Sequence, residues 1–175
     1  MRPIAILLLF VMLAITIQRN ELWRDDEGIW GDSVAKAPRK ARSYNELGLH
    51  YLSAGRLEDG FRTLRQSLAI DPYQPAVYIN LGLAYDRLGR TEDAVKTYER
   101  AVFLNPDDPA AYYNLGVLTY TTLKDRDRAL SYFLAARDRD PLEPDVHDYL
   151  WRIYEEKGNR VRAKTEHDLF LQLKR

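Results

Sequence analysis

Prolines recur along this chain at a nearly fixed interval. Pro38, Pro72 and Pro106 are 34 residues apart, and Pro141 follows 35 residues after the last of them. A second series, Pro75, Pro109 and Pro144, sits three residues behind Pro72, Pro106 and Pro141, so the joints read DPYQP, NPDDP and DPLEP. Proline has no amide hydrogen and biases the residue before it away from the helical region, so the first proline of each joint ends a helix. The second falls where a new helix has an unpaired N–H to spare, and costs nothing there. A period of this length means one supersecondary unit, repeated and stacked so that neighbours bury each other's apolar faces.

Between joints the apolar residues recur at i, i+3, i+4 and i+7, the pattern of amphipathic helices of about 14 residues. Equivalent positions carry equivalent residues: Tyr44, Tyr78 and Tyr112; Leu47, Leu81 and Leu115; Gly48, Gly82 and Gly116; then Gly60, Ala94, Ala129 and Ala163, followed by Leu64, Tyr98 and Phe133. Glycine in a helix interior costs roughly 1 kcal/mol against alanine, so its recurrence means that a neighbouring helix comes too close for a side chain. The small residues near the start of each second helix are the expected counterpart surface.

The phased set Tyr-x2-Leu-Gly-x2-Tyr, then small-x3-aromatic-x2-Ala and a helix-ending proline, resembles the tetratricopeptide-repeat (TPR) family. Residues 75–108 carry it at every signature position: Tyr78, Leu81, Gly82, Tyr85, Ala94, Tyr98, Ala101 and Pro106. The resemblance covers about residues 22 to 175 and implies an all-α superhelical solenoid of antiparallel helix pairs. It implies half a repeat (second helix only) within a linker at 19–40, repeats at 41–74, 75–108 and 109–143, and a degenerate capping repeat at 144–175; residues 1–18 precede the repeats and are expected, from the apolar run described next, to form a membrane-anchor helix. Local departures are Gly60 where alanine is usual, one extra residue between Gly116 and Ala129 that should bulge the helix or lengthen the turn, and Trp151 and Phe170 at small-residue positions of the last repeat.

Ile4 to Ile17 (IAILLLFVMLAITI) is the most apolar run in the chain. At about 1.5 Å per residue it spans roughly 21 Å, short of a hydrocarbon core of roughly 30 Å, which suits a signal-peptide core. Its flanks suit an uncleaved anchor. No small-x-small cleavage site follows the run, Gln18 and Arg19 can snorkel, and Trp23 can sit at headgroup level. The expectation is therefore a membrane-tethered protein, with cleavage and secretion or a buried soluble helix as the alternatives. Basic residues flank the run on both sides (Arg2 against Arg19 and Arg24), so the charge rule leaves orientation open.

Residues 18–49, with Arg-Asn after the apolar run, tryptophans seven apart and Lys-x-Pro leading into Asn-x-Leu-Gly, resemble the segment joining the last membrane helix to the repeats in large polytopic membrane proteins. Bacterial relatives of transmembrane TPR-containing O-mannosyltransferases are among them. That resemblance implies an extracytoplasmic repeat region, and offers a second reading as a subunit or truncated part of a glycosyltransferase-type membrane enzyme whose catalytic loops lie elsewhere.

Charge and chemistry narrow the function. Lys+Arg and Asp+Glu balance at 26 each, so no net field draws in nucleic acid, and cysteine is absent, which removes disulfides, thiolate metal sites and a thiol nucleophile. None of the three histidines has a partner at triad or metal spacing. His147 and His167 fall at aromatic slots and are read as packing residues, and His50 as a surface residue. The acidic run Asp25, Asp26 and Glu27 lacks the glycine loop of a calcium site and is read as a solvated face. No phosphate loop, nucleophile elbow or metalloprotease motif appears. No catalytic residue, metal, cofactor or small-molecule substrate is expected.

In TPR proteins the inner, concave surface is lined by first helices. Carrying the family's inward positions onto this chain gives Asn45, Leu49, Ile79, Asn80, Leu83, Arg87, Tyr113, Asn114, Val117, Tyr120, Tyr149 and Arg152 as the candidate groove for a peptide or protein partner, together with Leu52, Asp86 and Asp148. Asn80 and Asn114 occupy the same repeat position, where stacked amides can pair with an extended backbone or bridge locally within a helix. The clamp that some TPR domains use for a chaperone's terminal carboxylate needs Lys and Asn in the first repeat, where this chain has Asn45 and Leu49, and Lys and Arg in the third, where it has Ala110 and Asn114. That ligand is disfavoured.

Overall fold

A computed structural model describes residues 26–175; the apolar run at 4–17, Trp23 and the start of the linker lie outside the described residues. Every regular element described is helical: α1 (Asp26–Lys36), α2 (Ala41–Ser53), α3 (Leu57–Ile70), α4 (Pro75–Arg87), α5 (Thr91–Leu104), α6 (Pro109–Leu118), a π-helical turn (Thr119–Leu123), α7 (Arg126–Arg139), α8 (Pro144–Glu156) and α9 (Arg160–Leu173). None of these is long and apolar enough to cross a membrane. The described residues divide into two compact units, one ending at Pro72 and the other running from Tyr73 to Arg175.

In the first unit, α2 and α3 form a hairpin and α1 packs on α2. Leu52 and Leu64 are fully buried between the paired helices. Ser33 meets the Ser43 hydroxyl at 2.7 Å across α1 and α2, and Ser67 donates to the Ala41 carbonyl across α2 and α3 at 2.8 Å. The second unit stacks three hairpins, α4–α5, α6–α7 and α8–α9, with α5 on α6 and α7 on α8. Pro75, Pro109 and Pro144 sit in the first turns of α4, α6 and α8, where the missing N–H is harmless.

Each hairpin is locked by a small residue beneath a large one. A Cβ on Gly82 would come within 2.5 Å of the Tyr98 ring, one on Gly116 within 2.7 Å of the Phe133 ring, and one on Gly48 within 2.8 Å of Leu64. This refines the expected counterpart of these glycines: each faces the large side chain in the middle of the second helix, and only Gly48 also meets the small residue near its start, with the Gly60 carbonyl at 3.3 Å. Those small residues serve a reciprocal contact, since a Cβ on Gly60 would meet Leu52 at 2.6 Å and the Gly48 carbonyl at 3.0 Å. The same geometry explains why glycine replaces the usual alanine at position 60.

The extra residue of the third repeat is absorbed at one place. In three hairpins the first helix ends on a left-handed glycine, Gly55, Gly89 or Gly158, with φ between 70 and 75°. Counting from the packing glycine, the α6–α7 hairpin reaches this point one residue late, at Lys124, the one non-glycine residue with positive φ (56°) among those described. The surplus residue widens the last turn into the π-helix, and the closing bond runs from the Asp125 N–H to the Thr119 carbonyl (3.1 Å), where the other hairpins use Arg56 to Tyr51, Arg90 to Tyr85 and Asn159 to Tyr154. Thr119 takes the place of Tyr85 and is buried, its hydroxyl without a hydrogen-bond partner.

Candidate binding face of the first helices

The expected groove residues separate into contacts and packing residues. In the first unit Leu49 is 39% exposed, but Asn45 is buried and Leu52 is fully buried against Gly60. Leu52 therefore belongs to the core and not to the groove.

In the second unit α6 and α8 bring a group of the expected residues together. Tyr149 lies at the centre, 5.6 Å from Tyr120 and 6.1 Å from Tyr113 by ring centroids in edge-on geometry, and 4.6 Å from Phe133 in a parallel stack. Val117 packs beside them. Edge-to-face and offset rings of this kind contribute beyond their buried area, so the cluster is a preformed aromatic surface. Burial, reinforced by Tyr149 and the carboxylates of Asp145, Glu143 and Asp148, pushes the Tyr113 phenol up to about 12. It stays neutral at physiological pH.

One edge of this surface is held by a charged clip. The Tyr120 hydroxyl donates to Glu156 Oε1 at 2.5 Å, Arg126 Nε donates to Glu156 Oε2 at 2.7 Å, and the Arg126 guanidinium lies 5.4 Å from the Tyr120 ring centroid. The hydrogen bond from Tyr120, then the one from Arg126, hold the Glu156 carboxyl below the usual range. Arg152 pairs with Asp148 at 2.9 Å, one turn apart on α8.

On α4, Leu83, Ile79 and Asn80 are half-buried and Arg87 is exposed, with Ile79 packed against the Tyr98 and Leu115 cluster. Burial pushes the Asp86 carboxyl up against the opposing pull of Arg87. The two stacked asparagines are not free amides. Asn114 Nδ2 donates to the Ala110 carbonyl of its own helix at 2.9 Å, and Asn80 also has an interaction partner. Asn114 thus makes the local bridge that the sequence offered as the alternative to a backbone ladder.

The structure also shows a feature missed in the sequence. Between the N-terminal ends of α6 and α8 lies a cleft of about 290 Å³ lined by Ala110, Tyr113 and Val146, with Asp140, Glu143 and Asp145 among its other lining residues. Two of these acids cap backbone groups: Glu143 accepts the Asp145 N–H and Asp140 the Leu142 N–H. Their convergence depends on the α7–α8 joint folding back beside α6, which no local pattern encodes.

The histidines pack. His147 is buried, its Nδ1 at 2.6 Å from Glu166 Oε2 and its Nε2 at 2.9 Å from the Pro141 carbonyl, and Arg137 donates to the other Glu166 oxygen at 3.1 Å. His167 stacks on Trp151 at 4.2 Å, so the terminal hairpin replaces the glycine-under-ring contact with two stacked rings. His50 is partly exposed, 3.9 Å from Glu27, which also pairs with Arg56. Among the described residues no three His, Asp or Glu side chains are grouped to hold a metal ion.

Solved structures share this fold at low identity. A crystal structure of MamA aligns over 83% of this chain and 84% of its own, with a TM-score of 0.72 and 22% identity. PilF of Pseudomonas aeruginosa aligns over 94% of this chain and 74% of its own, with a TM-score of 0.78 and 20% identity. A chain of the Cut9–Hcn1 hetero-tetramer of the APC/C aligns over 89% of this chain but 29% of its own, with a TM-score of 0.75 and 21% identity. A search of curated proteins returns no match. None of these findings extends the likeness of residues 18–49 to O-mannosyltransferase relatives. Two tetratricopeptide-repeat family models match residues 39–102 and 79–144, jointly more than half of the chain, and the protein belongs to the tetratricopeptide-repeat family.

Proposed function

We propose that this chain is a non-catalytic interaction scaffold that holds a segment of a partner protein on the first-helix face, and that residues 4–17 tether it to a membrane with the repeats on the extracytoplasmic side. The observation that carries the first part is the Tyr113–Tyr149–Tyr120 surface. It is aromatic, half-buried, braced from behind by Phe133 and from the side by Glu156 and Arg126, and therefore organised before any partner arrives. Rigid aromatic residues supply contact area at low entropic cost, which is why they dominate the energetically important positions of interfaces. The tether rests on the sequence of the apolar run and its flanks.

Photoreactive residues placed one at a time at Leu83 and Val117, and as controls at Phe103 and Lys96 on α5, test the face directly in membranes of the source cell. Crosslinks to a discrete protein from the α4 and α6 positions, and none from α5, are expected. Equal crosslinking from all four positions contradicts the assignment. The tether is read in the same preparation: the full chain remains in the pellet after carbonate washing, whereas release into the supernatant, or a mature N-terminus at or beyond residue 17, removes it.

A further inference from the structure

We propose that the cleft between the N-terminal ends of α6 and α8 is a subsite for one basic side chain, Arg or Lys, of the bound partner segment, its aliphatic stem against Ala110, Tyr113 and Val146 and its cation among Asp140, Glu143 and Asp145. The inference rests on the interaction-scaffold reading and adds the chemistry of the occupant. Size comes first. At about 290 Å³ the cleft is at the lower limit of small-molecule sites, which suits a single side chain better than a cofactor. It is part of the same face as the aromatic surface, because Tyr113 belongs to both.

Charge complementarity selects the occupant. Three acidic residues from the end of α7, the joint and the first turn of α8 line the cleft, while the apolar part of its lining is Pro109, Ala110, Val146 and Tyr113. The charge is only partly balanced: Lys174 lies 3.2 Å from Asp145, and Asp140 and Glu143 each accept a backbone N–H. A carboxylate or phosphate on the partner would meet three like charges. A neutral apolar side chain would fill the volume but leave the carboxylates to be desolvated without recompense. Long basic side chains match both parts, because their stems bury on apolar surface while their heads remain among polar groups, and a guanidinium or ammonium is attracted to a tyrosine face. The field is also felt within the protein, since Asp145, Glu143 and Asp148 all contribute to the raised phenol of Tyr113.

The test uses the full-length chain, immobilised, and four pools of capped peptides of otherwise random sequence carrying Arg, Lys, norleucine or Glu at one fixed central position. The Arg and Lys pools should be retained about five-fold more than the norleucine pool, and the Glu pool least. The triple variant Asp140→Asn/Glu143→Gln/Asp145→Asn keeps the capping carbonyls and the volume. It should erase the preference for Arg and Lys without lowering retention of the norleucine pool, and 0.5 M salt should do the same to the wild type. Equal retention of Arg, Lys and norleucine pools, lost on Tyr113→Ala, overturns the basic subsite while leaving the scaffold reading in place. A preference for the Glu pool, or a basic preference that survives the triple variant with an unchanged melting temperature, also overturns it. No retention of any pool, by a chain shown to be folded by its thermal melt, removes both readings.

Discussion

The α4–α5 and α6–α7 hairpins share a core and differ at the turn. Both bury an aromatic ring of the second helix over a glycine of the first, at nearly the same closeness. At its turn the α4–α5 hairpin closes on itself: Arg90 lies 4.7 Å from the Tyr85 ring centroid and forks onto Asp93 of the same hairpin. The α2–α3 hairpin repeats the device with Arg56, Tyr51 and Asp59, although Arg56 also donates to Glu27 of α1. The α6–α7 hairpin, one residue longer, keeps the arginine on a tyrosine ring but takes its carboxylate from the next hairpin. Thr119 and Asp125 replace the tyrosine and arginine, and the neighbouring Tyr120 and Arg126 reach across to Glu156 at the end of α8, with Lys157 paired to Asp127 beside them. The difference teaches that the packing pair sets the repeat while the turn is free to change its allegiance, from its own hairpin to the next one and so to the aromatic face.

The largest effect should come from the shared feature. Gly82→Leu and Gly116→Leu both force a branched side chain into a ring at under 3 Å, and each should destabilise the second unit by about 3 kcal/mol in a denaturant melt. A large loss at one site and none at the other would break the equivalence of the hairpins. The turn should respond in the opposite direction. Thr119→Val replaces a buried, unpartnered hydroxyl with a methyl of the same shape and should stabilise by about 1.5 kcal/mol, because an unsatisfied buried polar group costs about 1–3 kcal/mol. Lys124→Gly removes a side chain from a left-handed position and should add about 1 kcal/mol. If either change lowers the melting temperature, the π-helical turn is not the place where the insertion's cost is stored.

The smallest effect belongs to the clip. Glu156→Gln should cost about 0.5 kcal/mol at neutral pH, since the Glu156 and Arg126 side chains are both exposed. Its pH dependence carries the sign. The folded-state carboxyl is held below its ordinary value by Tyr120 and then Arg126, so the stability it adds is present above the usual carboxylate range and is lost as the pH falls through the lowered value. Melts of wild type and Glu156→Gln should therefore converge in acid and separate at neutrality.

What the sequence revealed follows from the range of the interactions involved. The proline joints, the recurring Leu-Gly pair and the alternation of small and large residues are set by contacts within one hairpin, and their repetition makes them readable. The partner of Gly82 was misplaced because two small-to-large contacts run in opposite senses through the same hairpin and periodicity alone cannot say which residues meet. Tyr113, Tyr120 and Tyr149 were legible as inward residues by family position, but their joining into one surface depends on how α8 lies against α6. The acidic cleft and the His147–Glu166–Arg137 network were invisible for the same reason: each is assembled by residues 19 or more positions apart, or by a joint, with no repeat to announce it.

If the first-helix face holds a partner while the glycine-and-ring contacts hold the fold, binding and stability can be separated. Leu83→Ala with Arg87→Ala tests this in one preparation, by calorimetric titration of the protein crosslinked at Leu83 and Val117 and by a thermal melt of the same sample. Leu83 is half-buried and Arg87 exposed, and neither takes part in a glycine contact. The account predicts affinity weakened about ten-fold, roughly 1.4 kcal/mol, with a melting temperature within about 2 °C of the parent. Full affinity in a protein whose melting temperature has dropped by several degrees would contradict it, and would assign these residues to the repeat stack instead of to the partner.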